Sequence, residues 1–189
     1  MSERETQLFE LLRDRSFKRG TFRLTSGEMS EYYIDGKMSA THSKAAFLIG
    51  EVLYERTKDL RIDGIGGLEV GAVPLVTAAA ISYHLHGHEM EGFWVRDKAK
   101  AHGTKKRVEG GNLKEGSRVV IVDDVFTKGG SALKAIEAVE EIGCKVVAVI
   151  ALVDRLQGAR ELFEKHGVEN FLPIFTIRDF GIEIPTSAG

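Results

Sequence analysis

The sequence contains very little cysteine and no long hydrophobic run. Its one cysteine among 189 residues, Cys144, cannot form an intramolecular disulfide, and because it precedes an apolar segment we expect a buried thiol. The longest apolar run, residues 146–153, is far too short to cross a bilayer and is typical of a buried strand. The charged amino terminus has no apolar segment behind it, so we expect no secretory signal, no membrane association and a cytoplasmic location.

Internal repeats, low-complexity tracts and long linkers are also absent, as is a strong net charge. The net charge of −2 gives no general basis for nucleic-acid binding, so we expect no nucleic-acid partner. A hydrophobic fraction of 43% and a charged fraction of 29% are typical of a globular chain, and we predict a single domain over residues 1–189. Positive charge is nevertheless concentrated between Arg96 and Arg118, which points to a local function.

Hydrophobic periodicity predicts an alternation of helices and strands. Helices are predicted at 2–15, at 42–57, from Pro74 to about His84, at 130–142 and at 158–166. Strands are predicted at 62–66, 90–95, 118–122, 145–153 and 171–177, with a small β substructure within 17–35 and an exposed loop at 98–111. Since these strands are continuous apolar runs, we predict an α/β fold with a doubly wound, mostly parallel sheet covered by helices on both faces.

Two adjacent carboxylates, Asp123 and Asp124, directly follow the strand predicted at 118–122. Ligands of open parallel sheets bind beyond the carboxyl ends of the strands. The next residues, 125–131, contain glycine and hydroxyl side chains and open a helix, so they can hold a phosphate monoester. The carboxylates repel phosphate and are expected to contact sugar hydroxyls or a divalent cation. A Walker A loop is absent, and the alternative without a ligand is a capped helix after an Asp turn.

A basic segment follows the strand predicted at 90–95. Arg96, Lys98, Lys100 and His102 alternate, so an extended chain would place them on one side. A cationic loop of this kind suits a pyrophosphate leaving group, and its closure would exclude water. The alternative is a solvated charged loop.

Residues 119–131 resemble the signature of type I phosphoribosyltransferases, which binds 5-phosphoribosyl 1-pyrophosphate (PRPP). The resemblance implies that Asp123 and Asp124 hold the ribose hydroxyls while the loop after them holds the 5′-phosphate. It also implies Mg²⁺ as the cofactor, carried by PRPP near Asp123 and Asp124, with no direct protein ligand assigned.

The basic segment resembles the catalytic loop of orotate phosphoribosyltransferases at Arg96, Lys100, His102 and Gly103. In that family the loop of one subunit closes over the active site of its partner. The resemblance therefore implies a homodimer whose active sites are shared through the 96–111 loop. Asp97 departs from members that carry a pyrophosphate-contacting lysine there, and Lys98 is the candidate replacement.

Three further segments resemble parts of the same family. The glycine-rich turn at 66–74 is similar to its pyrophosphate loop, whereas a dinucleotide fingerprint is excluded because Glu69 occupies the third glycine position. Residues 22–35 resemble the segment that forms a hood over the base, although Thr25 replaces a lysine of some members. Arg155, at the end of the strand predicted at 145–153, aligns with the arginine that binds orotate, and its guanidinium suits a planar carboxylate. The hood is expected mainly at 17–40 and the PRPP-binding core at about 41–180.

Together these resemblances imply an orotate phosphoribosyltransferase, a pentosyltransferase of de novo pyrimidine biosynthesis. The implied catalytic residues are Lys100, His102, Asp123 and Asp124. The implied PRPP-binding residues are Glu69, Val70, Gly71, Arg96, Lys98, Lys100, His102, Asp123, Asp124, Val125, Phe126, Thr127, Lys128, Gly129, Gly130 and Ser131. The implied orotate-binding residues are Tyr32, Tyr33, Thr127 and Arg155.

Two other functions remain open on the sequence. A purine phosphoribosyltransferase would use the same scaffold with another base. A regulator would use the PRPP-binding fold to sense a ligand and bind DNA or RNA, although only about 16 residues precede the hood segment. The alternating His84, His86 and His88 resemble metal ligands in spacing, but no acid cluster accompanies them and we predict a structural or solvent-exposed role.

Overall fold

The computed structural model of the protein describes residues 1–23, 27, 29–98 and 107–184. Its helices are α1 (Glu3–Arg15), α2 (Lys37–Ala40), α3 (Ser43–Thr57), α4 (Ala72–Leu85), α5 (Gly130–Glu140) and α6 (Ala159–Lys165). Its strands are β1 (Phe17–Arg23), β2 (Met29–Ile34), β3 (Gly64–Leu68), β4 (Glu91–Val95), β5 (Val108–Gly110), β6 (Arg118–Phe126), β7 (Lys145–Asp154) and β8 (Phe175–Thr176). Short 3-10 turns lie at Lys58–Leu60 and Ile177–Phe180.

The amino-terminal segment is a helix followed by a β-hairpin. A capping box between Ser2 and Glu5 starts α1 by satisfying its first N–H groups, and Leu8 and Leu12 are buried on one side of the helix. Strands β1 and β2 then pair in antiparallel fashion as a separate sheet, which confirms the predicted small β substructure. We call residues 17–40, which comprise this hairpin and α2, the hood.

The main sheet has six strands in the order β5-β4-β3-β6-β7-β8. Every neighbouring pair in it is parallel except β4 and β5, which are antiparallel. The predicted mostly parallel sheet is therefore confirmed, and β6, one of its two central strands, carries the acidic pair.

Helices cover both faces of this sheet. Along β6, Val120 and Val122 pack with the cluster that contains residues of α1, α3 and α4, whereas Val119 and Ile121 pack with residues of α5 and α6. The strand alternates between two apolar cores, which is why it is a continuous apolar run. The predicted doubly wound arrangement is confirmed.

Three predicted boundaries were wrong. Strand β6 continues beyond residue 122 to Phe126, because its ladder with β7 extends to the pair Phe126–Asp154. The strand predicted at 171–177 has only two residues in the sheet, with Phe171 forming an isolated bridge to Val149. The region predicted as loop, 98–111, contains β5, which pairs with the edge of β4.

Cys144 is buried, as expected, and burial raises the pKa of its thiol. In the portion of the chain that is described, no helix combines the length and the apolar character needed to span a bilayer.

Candidate active site

The acidic pair lies near the carboxyl end of β6. Asp123 and Asp124 are each only 7% exposed, and they are the last acidic residues before β6 ends at Phe126. The sequence placed them after the strand, but the structure places them within it. Hydrogen bonding between β6 and β7 fixes the backbone of this segment at the carboxyl end of the parallel strands, where ligands of such sheets bind.

Burial and mutual repulsion make this pair electrostatically unusual. Burial, followed by the neighbouring charge of Asp124, raises the pKa of Asp123 to about 8. The N–H of Asp124 donates to Asp123 Oδ1 at 2.9 Å, and the N–H of Val125 donates to Asp124 Oδ1 at 2.9 Å. Each carboxyl group keeps further acceptor capacity, so the pair can share one proton and accept hydrogen bonds from ligand hydroxyls.

Glycines from two other segments pack directly on these carboxylates. A Cβ on Gly36 of the hood would lie 2.6 Å from the Cβ of Asp124. A Cβ on Gly71, in the turn between β3 and α4, would lie 2.8 Å from Asp124 Oδ1 and would also clash with Asp123 Oδ1. Only a residue without a side chain permits this approach, and the hood and the predicted pyrophosphate loop therefore meet at the acidic pair.

The glycine-rich turn also meets the start of the basic loop. Arg96 Nη1 lies 3.9 Å from Glu69 Oε2 and 3.7 Å from Glu109 Oε1, while the N–H of Glu69 donates to the carbonyl of Val95 at 2.9 Å. Val70 is 67% exposed beside Glu69. The structure thus brings Glu69, Val70, Gly71 and Arg96 together at one edge of the acidic pair.

The first part of the basic loop is attached to α5. Lys134 Nζ lies 2.6 Å from Asp97 Oδ1, and its hydrogen bond lowers the pKa of Asp97. Asp97, where some of the similar sequences have a lysine, therefore forms an ion pair that attaches the start of the basic loop to Lys134 of α5. Lys98 is exposed, whereas Lys100 and His102 lie outside the described residues.

The phosphate loop begins where β6 ends. Phe126 is buried against Phe163, with ring centroids 5.4 Å apart, so its side chain belongs to the core and only its backbone can face a ligand. Gly129 has φ 78° and caps α5, which starts at Gly130. The side chains exposed around this helix amino terminus are those of Thr127, Lys128 and Ser131. Free backbone N–H groups with hydroxyls and a cation form a suitable anion site.

The residues expected to bind the base converge from β2 and the end of β7. Arg155 is buried, and its Nε donates to the Tyr32 hydroxyl at 2.9 Å while its guanidinium carbon lies 4.6 Å from the centre of the Tyr32 ring. Tyr33 lies on the opposite face of β2, is 42% exposed and packs against Phe22 at 5.6 Å. The two tyrosines therefore do not lie side by side facing Arg155, because successive strand residues point to opposite faces.

Sequence reasoning missed one residue of this site. Lys37 reaches from the hood to Asp124, with Nζ 3.3 Å from Oδ2 of that residue and 2.9 Å from Oδ1 of Asp35. Although burial opposes it, the two carboxylates raise the pKa of Lys37 above its ordinary value. The sequence around Lys37 does not indicate its contact with Asp124, because that contact depends on how the hood packs against β6.

The histidine segment lies away from this site. His86 Nε2 lies 3.1 Å from Glu51 Oε1, and its ring stacks on Tyr54 with centroids 4.0 Å apart. Its role in the described structure is to join α4 to α3, as predicted. Within the described ranges, no cluster of three or more histidine, cysteine, aspartate or glutamate residues is arranged to hold a metal ion.

Known proteins of one family match most of the chain. Residues 38–173 match the family described as the phosphoribosyl transferase domain. The chain is 46% identical over 170 residues to an orotate phosphoribosyltransferase of Bradyrhizobium diazoefficiens, covering 88% of this chain and 91% of that protein. A crystal structure of Mycobacterium tuberculosis orotate phosphoribosyltransferase with Fe(III) dicitrate superposes with a TM-score of 0.83 at 37% identity, covering 95% of this chain and 99% of that one. The same enzyme in complex with PRPP gives a TM-score of 0.79 at 36% identity over 95% and 99% of the two chains.

Proposed function

Because this chain belongs to the orotate phosphoribosyltransferase family, we propose that it transfers the 5-phosphoribosyl group of PRPP to orotate. The products are orotidine 5′-monophosphate and pyrophosphate, a step of de novo pyrimidine (UMP) biosynthesis. The observation that carries the proposal is the convergence of a buried acidic pair, a helix amino terminus and the buried Arg155 at the carboxyl end of β6 and β7. The acidic pair can bind a ribose, the helix amino terminus can bind a phosphate, and Arg155 can bind a carboxylate.

The proposed roles follow the chemistry of each group. Asp123 and Asp124 hold the ribose hydroxyls while positive charge develops at the anomeric carbon, and residues 125–131 hold the 5′-phosphate. Arg155 and Tyr32 hold the base, so that its ring nitrogen attacks the face of the sugar opposite the departing pyrophosphate. Lys100 and His102 assist that departure. Positioning and electrostatic stabilisation supply most of the rate.

We propose Mg²⁺ as the cofactor, brought to the site on PRPP. The fit of the site to this ion rests on its donors: Asp123 and Asp124 offer carboxylate oxygens, and Mg²⁺ is usually held by one or two carboxylates together with substrate phosphates. The ion would neutralise charge on the pyrophosphate. Lys98 and Arg96 would add cationic contacts to the same group.

The proposed assembly is a homodimer whose active sites are shared through the 96–111 loop. Large apolar side chains are exposed on α2, α3 and α4, with Met38, Phe47, Ile81 and Leu85 each more than half exposed. A groove between α3 and α4 is lined by Phe47, Ile81 and Pro74. A surface of this kind is typical of an interface, and a second copy of the chain is the occupant that a shared loop requires.

Complementation between two inactive variants tests the shared site. Lys100→Ala removes the loop lysine and Asp123→Asn alters the core. If the loop acts on the partner's core, a mixed dimer contains one intact site, and random mixing restores about a quarter of the wild-type activity. Mixing Asp123→Asn with Asp124→Asn is the control, since no intact core can form. Absence of restored activity in a demonstrated mixed dimer would contradict sharing.

The reaction itself is tested by the ultraviolet absorbance of orotate. Loss of orotate that requires both PRPP and Mg²⁺ would establish the base and the donor together. Consumption of a purine with orotate ignored would favour the alternative base. Retention on nucleic acid that weakens steeply with salt would favour the regulator instead. The expected cytoplasmic location stays a prediction for cell fractionation.

A further inference from the structure

The hood contributes a cation to the acidic pair. Lys37 is the first residue of α2, and its Nζ lies between Asp35 Oδ1 at 2.9 Å and Asp124 Oδ2 at 3.3 Å. Next to it, Gly36 packs so closely on Asp124 that a Cβ there would lie 2.6 Å from the aspartate Cβ. The hood and β6 therefore meet at one carboxylate.

The two oxygens of this carboxylate have different partners. Asp124 Oδ1 accepts the N–H of Val125 at 2.9 Å, whereas Oδ2 accepts a hydrogen bond from Lys37. The Asp124 side chain is only 10% exposed, and the equally secluded Asp123 is its sequence neighbour. Two neighbouring buried carboxyl groups need a nearby cation, because a buried charge without a partner is energetically costly.

We propose that Lys37 is a positioning residue for PRPP, acting through Asp124. It holds the carboxylate in the orientation that receives a ribose hydroxyl. This role rests on the proposed function, because it assigns the ribose of PRPP to Asp123 and Asp124. It adds to the site a hood residue that is 87 positions away from its partner in the sequence.

The role of Lys37 can be separated from a general role in folding. Its side chain is 48% exposed, so truncating it leaves no cavity in the apolar core. Lys37→Met keeps most of the aliphatic volume and removes the charge, while Lys37→Arg retains the charge. Lys145→Met is a matched control that removes one exposed charge at the amino end of β7, the opposite end of the sheet from the acidic pair.

The first measurement is PRPP binding by calorimetry with Mg²⁺ and without a base. Lys37→Met should bind PRPP roughly tenfold more weakly, Lys37→Arg should recover most of the affinity, and Lys145→Met should match the wild type. The thermal transition of Lys37→Met should be lowered because Asp124 loses its cation, so binding is compared at a temperature at which every variant is folded. Unchanged PRPP affinity in Lys37→Met, or equal losses in the Met and Arg variants, would overturn the proposal.

Steady-state kinetics in both directions then separate positioning from direct contact. In the forward reaction the KM for PRPP should rise more than kcat falls. In the reverse reaction the KM for orotidine 5′-monophosphate should rise, because that molecule also carries the ribose, while the KM for pyrophosphate should stay unchanged. A raised KM for pyrophosphate would overturn the proposal in favour of a direct diphosphate contact. Failure of the wild type to consume orotate, with PRPP still bound, would instead refute the proposed function alone.

Discussion

Arg155 Nε donates a 2.9 Å hydrogen bond to the Tyr32 hydroxyl, which joins the end of β7 to the hood. The two residues are 123 positions apart in the sequence, and both are buried. The bond orients the guanidinium from one side, and Arg155 Nη2 makes a longer contact of 3.5 Å with Ser30 Oγ on the same strand as Tyr32. We infer that Tyr32 sets the direction from which Arg155 meets the carboxylate of orotate.

Tyr32→Phe tests this orientation. The variant keeps the ring and loses the hydroxyl, so the KM for orotate at saturating PRPP should rise about three- to tenfold, the usual range for one neutral hydrogen-bond acceptor. Tyr83→Phe is the matched control, since it deletes another buried hydroxyl, one that bonds to Thr57. An equal rise in both variants would show that the effect is a general loss of stability.

Asp123→Asn should separate stability from activity. Folded Asp123 keeps its proton to about pH 8, whereas an unfolded aspartate loses it near 4, so the folded state binds more protons between these values. The contribution of the protonated Asp123 carboxyl to the free energy of unfolding is therefore fully present below about pH 4. It is lost progressively as the pH rises to about 8. The asparagine variant escapes this loss, and by pH 8 it should be more stable than the wild type by at least about 1 kcal/mol.

Thermal unfolding of the wild type and Asp123→Asn at several pH values measures this difference. The gain in melting temperature should grow between about pH 5 and pH 8, while turnover of PRPP falls at least roughly tenfold. A difference that does not vary with pH would contradict the raised pKa.

Gly129→Ala should damage the phosphate loop through the backbone. Gly129 has φ 78°, and a Cβ there would lie 2.8 Å from the ring of Phe163, so both conformation and space oppose a side chain. We expect a loss of about 1–3 kcal/mol in the free energy of unfolding, measured by denaturant titration. Gly130→Ala is the control, because nothing lies within 4 Å of a Cβ at that position and the residue is helical. Equal destabilisation of both variants would contradict this explanation.

Lys100→Ala tests the basic loop, whose middle lies outside the described residues. If Lys100 stabilises the departing pyrophosphate, kcat at saturating substrates should fall roughly a hundredfold. Lys145→Ala is a control that removes an exposed lysine far from the acidic pair. Unchanged turnover in Lys100→Ala would remove this residue from the catalytic set.

Features that are contiguous in the sequence were predictable. The acidic pair, the glycines after it and the following helix form one segment, and their chemistry is visible without the fold. The parallel sheet followed from apolar runs such as 146–153. The extension of β6 through the acidic pair was not predictable, because aspartate disfavours strands and only the ladder with β7 overrides that preference.

Contacts between distant segments were the other omission. The pairing of Lys37 with Asp124 and of Lys134 with Asp97 depends on how the hood and α5 pack, and neither lysine is distinguished by its neighbours in the sequence. Likewise, the adjacency of Tyr32 and Tyr33 suggested a shared role, whereas the pleat of β2 sends them to opposite faces. Strand β5 was missed because three residues are too few to show a period.

The two edge strands of the main sheet are also its shortest strands. On one side lies β5, with three residues, and on the other β8, with two. Each offers only a few backbone groups to an incoming strand, so little template is available for joining sheets of separate molecules or for building a fibre. Pairing between the sheet edges of two copies is thereby disfavoured, so we expect any association of copies to use helical surfaces.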